Sequence, residues 1–175
     1  MTTRTPHRML PASAALALWL ALSAAMAGAA EAPRRAAPFR LPDVTGRVVD
    51  LADSLRRGPV LLDFWATWCA PCLQAMPELE RWRQTLGPRG LTVIGISIDG
   101  PRNFARVRPF LASHGIHYAV VLDRDGALQR GYQVGQVPTT MLVDTSGAIV
   151  RLRVGSRPGE GPEMERAIRA LLPGP

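Results

Sequence analysis

The 175-residue chain contains no lysine, so all 21 of its basic residues are arginine. That excludes Schiff-base chemistry, which needs a lysine amine. Genome base composition explains the bias more simply than function does. Cysteine is almost as scarce, at two residues. Two cannot build a disulfide-stapled scaffold or a four-cysteine zinc site. Aromatic residues make up only 6% and do not interleave with any basic stripe. The arginines are scattered from Arg4 to Arg169, with short pairs at Arg34-Arg35 and Arg56-Arg57. A formal charge of +7 spread in this way leaves no footprint for nucleic acid, which is not an expected partner. The remainder is ordinary for a globular chain. At 47% hydrophobic and 20% charged residues, long-range disorder is excluded. The length suits one domain with a proper core.

The N-terminus reads as an export segment. Residues 1–8 carry Arg4, His7 and Arg8 and no acid, and Met9–Ala30 carries no charge at all. Ala25-Met26-Ala27 and Ala27-Gly28-Ala29 both fit the small-residue cleavage pattern that closes a secretory signal. The competing expectation is an uncleaved single-span membrane anchor, for which the apolar run is long enough. Both place the rest of the chain in the periplasm, either soluble or anchored to the inner membrane. No cysteine lies near the cleavage site, so a lipoprotein is not expected. Residues 1–30 are thus a signal peptide or anchor. Residues 31–38, rich in alanine and proline, are a linker without packed structure, and residues 39–172 are the domain.

Within the domain, strand and helix patterns alternate. Arg47–Leu51 predicts a short strand and Val60–Trp65 (VLLDFW) a buried central one. Leu73, Met76, Leu79, Trp82 and Leu86 predict a helix over 70–86, with Pro77 kinking it. Leu91–Ile98 and Tyr118–Leu122 predict further strands, with a helix over 102–113 between them. Asp123–Gly126 reads as a turn. Thr139–Asp144 and Ala148–Val154 predict a hairpin, and Glu160–Leu172 a closing helix. A mostly buried α/β sheet with helices on both faces follows.

The chemistry concentrates in Cys69-Ala70-Pro71-Cys72. A cysteine at a strand-to-helix junction meets unpaired backbone N–H groups and the helix dipole, which stabilise its thiolate. Cys69 is therefore the expected nucleophile. Cys72, one turn along on the same face, can close a disulfide with it. Pro71 sits where a missing N–H costs nothing. A static disulfide closing so small a loop would gain little entropy. A metal site would need two more ligands, yet the histidines are His7, His114 and His117 alone, with His7 in the export segment. Redox cycling is the expected role, with no metal and no cofactor. Asp63 interrupts an apolar strand six residues before Cys69, a costly place for a carboxylate unless it is solvated or functional.

The stretch Val60–Pro77, VLLDFWATWCAPCLQAMP, resembles the active-site segment of the thioredoxin superfamily. Within it the chain is similar to the exported TlpA/ResA/DsbE-like thiol:disulfide oxidoreductases, roughly over Phe39–Leu172. Phe39–Leu51 resembles an N-terminal β-hairpin lead-in, Val93–Asp99 the second core strand, and Arg102–Leu122 a helix-strand insertion. Val137-Pro138-Thr139-Thr140 resembles the family's cis-proline loop. The resemblance implies a thioredoxin fold, a mixed central sheet flanked by helices. It implies a cis Pro138 that sets the Val137 backbone beside Cys69 to pair with an extended substrate, offers no N–H of its own, and with its ring keeps metal from the dithiol. It also implies that Trp68 covers the dithiol and that Trp68, Ala70, Pro71 and Val137 meet substrate. Asp63 matches a buried acid of thioredoxin and would accept the Cys72 proton. One position departs. Members often carry glutamate three residues after the second cysteine, where this chain has Ala75.

Three functions compete. The first is a reductase of disulfides in exported proteins, such as an apocytochrome c or a copper-site assembly protein, supplied by a membrane thiol electron donor. Ala70-Pro71 favours it, because oxidising relatives usually carry histidine there. The second is an oxidant or isomerase of the same fold. The third is a thiol-based copper metallochaperone, for which Met76 is the only nearby thioether. A peroxidase has little support, since Ala66 stands where the peroxiredoxin-like proteins carry Thr or Ser.

Overall fold

The computed structural model describes residues 34–156 and 159–174. The expected signal or anchor over residues 1–30, and the first residues of the expected linker, lie outside them. Among the described residues no helix is long and apolar enough to cross a membrane.

Strand β1 (Arg40–Pro42) pairs antiparallel with β2 (Val48–Asp50) in a separate two-stranded hairpin. Its turn is built by Asp43, whose Oδ1 accepts from the Thr45 N–H and hydroxyl and from the Arg47 N–H, while Gly46 takes a positive φ of 90°. The main sheet holds β3 (Val60–Trp65), β4 (Thr92–Ser97), β5 (Ala119–Leu122), β6 (Thr139–Val143) and β7 (Ile149–Val154). Their spatial order is β5-β4-β3-β6-β7. β3, β4 and β5 run parallel, whereas β6 and β7 run antiparallel to their neighbours. Every residue of β3 is buried, as its position between β4 and β6 requires.

The helices are α1 (Leu51–Leu55), α2 (Ala70–Leu86), α3 (Phe104–Ser113), α4 (Ala127–Gly131) and α5 (Glu160–Leu171). One face of the sheet packs Leu61 and Trp65 of β3 against Met76, Leu79 and Trp82 of α2, Val107 and Leu111 of α3, and Met164 and Ile168 of α5. The other face packs Leu62, Phe64, Ile94 and Ile96 with Leu51, Leu128 and Tyr132. α2 continues through Pro77.

Three segments differ from the sequence expectation. Leu51 opens α1 instead of ending a strand, because the Asp50 carboxylate caps the Ala52 and Asp53 N–H groups. The expected turn over Asp123–Gly126 is present, but an unexpected short helix, α4, follows it, its Leu128 and Gln129 N–H groups donating to the Asp123 carboxylate. Five-residue helices carry no periodicity that a sequence pattern could reveal. Residues 34–36, expected to be unpacked linker, pair along the β6–β7 turn. The Ala36 N–H donates to the Gly147 carbonyl and the Ile149 N–H to the Arg34 carbonyl. Composition signals a linker, but a backbone beside an open strand edge still satisfies its hydrogen bonds there.

Candidate active site

The reacting pair stands where β3 runs into α2. Cys69 is the N-cap of α2, with extended backbone at φ −92° and ψ 94°. Cys69 and Cys72 form a disulfide, and the Cys72 N–H donates to Cys69 Sγ at 3.2 Å. The first turn of α2 carries no acid to offset the positive end of the helix dipole, and Pro71 fills a position whose N–H would have no partner. Both sulfur-bearing residues are buried, at 4% and 1% exposure. Around them Trp68, Ala70 and Pro71 are exposed and form a rim. Trp68, expected to cover the dithiol, is 63% exposed and lines a groove of about 720 Å³ with Thr67, Asn103, Arg106 and Phe110.

The loop into Cys69 is held from β4. Asp99 accepts from the Thr67 N–H at 3.0 Å, the Thr67 hydroxyl at 2.5 Å and the Ser97 hydroxyl at 2.9 Å. The Ala66 carbonyl then accepts the Cys69 N–H at 3.0 Å. Sequence reasoning does not anticipate this anchor, although a lone acid at the end of a buried strand is its visible sign.

The Val137–Pro138 peptide bond is cis. Thr139 pairs with Phe64 in the antiparallel β3–β6 register, so Val137 and Pro138 emerge at the sheet end from which β3 leads to Cys69. Pro138 is buried and Val137 half-buried.

Asp63 is 1% exposed and shares the sheet face of Leu61 and Trp65, the face that α2 covers. Its Oδ1 accepts from the Thr140 hydroxyl at 3.0 Å. Burial pushes its carboxyl up to about 7, against the pull of the Thr140 bond and the Arg153 charge. Burial, with the charges of Asp63 and Glu80, also raises Tyr118 well above the usual tyrosine range. The Tyr118 hydroxyl is buried without a hydrogen-bond partner.

Behind Asp63 lies a partly buried ion pair that sequence reasoning misses. Arg153 of β7 points a nitrogen at Thr140 Oγ1, 3.5 Å away, and pairs with Glu78 of α2 at 3.2 Å. Ala75 occupies the turn where family members often carry glutamate, but Glu78, one turn on, brings a carboxylate to the same helix. His114 stacks on Phe110, and His117 approaches Glu80 instead.

Residues 32–152 match the AhpC/TSA family. The thiol-disulfide oxidoreductase ResA of Geobacillus kaustophilus is 30% identical over 135 residues, covering 77% of this chain and 75% of that one. ResA of Bacillus subtilis is 32% identical over 118 residues, covering 67% and 64%. The crystal structure of a putative thiol:disulfide interchange protein DsbE from Chlorobium tepidum superposes with a TM-score of 0.72 at 33% identity, over 79% of this chain and 95% of that one. With a thioredoxin-like sheet and a CxxC disulfide at the helix N-cap, the chain belongs to the AhpC/TSA family and is a thiol-disulfide oxidoreductase of the ResA and DsbE type.

Proposed function

We propose that the chain is exported and reduces disulfides in other exported proteins, in the periplasm, with electrons from a membrane thiol donor. Apocytochrome c and copper-site assembly proteins are the substrate classes that suit such an enzyme. The observation that carries the reading is Cys69 at the N-cap of an acid-free first helical turn, with a small, uncharged Ala70-Pro71 between it and Cys72. The helix end favours the Cys69 thiolate as attacker. Without a histidine between the cysteines, the reduced pair lacks the extra stabilisation that makes strong oxidants.

The cycle starts from the dithiol. The Cys69 thiolate attacks one sulfur of the substrate disulfide, forms a Cys69–substrate disulfide and expels the first substrate thiolate. Cys72 passes its proton to Asp63 and attacks Cys69 Sγ. The second substrate thiolate leaves, the substrate has gained two electrons, and the Cys69–Cys72 disulfide is restored. Val137 offers backbone to an extended substrate segment, and Trp68, Ala70 and Pro71 meet its surface.

The midpoint potential of the Cys69–Cys72 pair tests the direction. Thioredoxin lies at about −270 mV and DsbA at about −120 mV. A value at the thioredoxin end is expected, and one at the DsbA end would make the chain an oxidant or isomerase. In an insulin-reduction assay Cys69→Ser should abolish turnover, while Cys72→Ala should accumulate mixed disulfides on a non-reducing gel. Normal turnover by the Cys69 variant would sink the mechanism.

A further inference from the structure

Arg153 is a charged residue at 8% exposure, on a strand that is otherwise half open to solvent. An arginine in such a place needs compensation. It pairs with the carboxylate of Glu78, which is 29% exposed. Glu78 is itself confined, because a Cβ on Gly161 of α5 would fall on its carboxylate. The guanidinium also stands over the Trp82 ring, 6.0 Å from the centroid. On its inner side it faces Thr140 Oγ1 at 3.5 Å, and Thr140 donates its hydroxyl to Asp63 at 3.0 Å. A chain of contacts thus runs from half-exposed Glu78 to fully buried Asp63, through Arg153 and Thr140.

We infer that Arg153 and Glu78 are positioning residues that together set the pH at which Asp63 can take the proton from Cys72. The inference rests on Asp63 as the proton acceptor proposed above. In this arrangement Arg153 favours the ionised Asp63 through the low-dielectric core, and Glu78 moderates it by neutralising part of the guanidinium charge. The Thr140 hydroxyl orients the carboxyl, since it can give its proton only to a carboxylate oxygen on that side. Among the described residues, the other titratable or charged groups near this pocket are Cys72 of α2, on the same core face, and Tyr118, which precedes β5 and feels the charges of both Asp63 and Glu80. Arg153 further shares a surface cavity with Arg151 of its own strand and with Glu160 and Glu163 of α5.

Two variants should move the same quantity in opposite directions. The reduced full chain is mixed with dithiobis(nitrobenzoate) in a stopped-flow instrument across pH 5 to 9. Attack by Cys69 releases one nitrothiobenzoate, and attack by Cys72 on the resulting mixed disulfide releases the second. The pH midpoint of the second release is the readout. Arg153→Met should raise that midpoint by about one pH unit, which slows the step about tenfold at pH 6. Glu78→Gln should lower it and speed the step at the same pH, and Arg153→Lys should return the midpoint toward wild type. A purely structural role would lower the rate at every pH without moving the midpoint, and that result would overturn the inference. If Arg153→Met does not fold, the downward shift with Glu78→Gln decides alone. Asp63→Asn separates the two levels. If it leaves the second release unchanged, Asp63 is not the acceptor. If it slows that release while the Arg153 and Glu78 variants keep the wild-type midpoint, Asp63 stands and the pair is excluded.

Discussion

At Asp63 the fold holds a carboxyl away from water, with one hydroxyl partner and one distant guanidinium. Burial disfavours the charged form, so the group keeps its proton up to about 7 in the folded chain, against 3.8 for an unhindered aspartate. Between those values the folded state binds more protons than the unfolded one. The stability that protonated Asp63 contributes is therefore complete below about pH 4 and is lost as pH rises through about 7. In Asp63→Asn this loss should vanish. Each pH unit between the two values is worth about 1.4 kcal/mol. Across that window the stability difference between variant and wild type should therefore move by about 3–4 kcal/mol in the variant's favour. Urea denaturation of the oxidised proteins at pH 4, 6 and 8 measures it. Parallel curves would show that Asp63 is not held protonated. The lone acid in an apolar strand is legible in the sequence. Its partners Thr140 and Arg153 are not, since they come from strands 77 and 90 residues further along.

Among the elements, the loop from β3 to α2 matters most, because it aims Cys69. Asp99 holds it with two bonds to Thr67 and one to Ser97. Asp99→Ala leaves the partly buried Thr67 amide and the Thr67 and Ser97 hydroxyls to find other partners. The expected cost is about 2–3 kcal/mol. Hydrogen exchange of the Thr67 amide should accelerate more than that of the β3 core. Uniform acceleration across the sheet would show that the anchor is global and not local. The long strands and α2 are readable from their apolar runs and spacing. The short helices α1 and α4 are not, because each is five residues long and is held by an aspartate among turn-like neighbours, Asp50 as the N-cap of α1 and Asp123 in the turn before α4. Trp68, beside Cys69 in the chain, is exposed and lines an open groove with Asn103 and Phe110. No local pattern fixes the rotamer of an exposed side chain.

For the whole molecule, the parallel half of the sheet ends at β5, an edge with unsatisfied backbone groups. The β1–β2 hairpin covers that edge. Asp43 bridges to Val121, and the Val44 N–H donates to the Val120 carbonyl at 2.9 Å. Asp43→Ala removes the three bonds that build the hairpin turn and should cost about 2 kcal/mol. It should also speed exchange of the Val44 amide. Unchanged protection there would mean that the hairpin docks without its turn. The cysteine pair, the helix that carries it and the alternation of strands were determined by the sequence alone. Each depends on spacing and polarity within some twenty residues, the range over which helix, strand and cap signals act. The tertiary structure decided which distant groups surround them: Asp99 behind Thr67, Thr140 on Asp63, and Arg153 paired with Glu78. Strand order and the pleat bring those residues together, and a buried charge takes its properties from whatever neighbours the fold supplies.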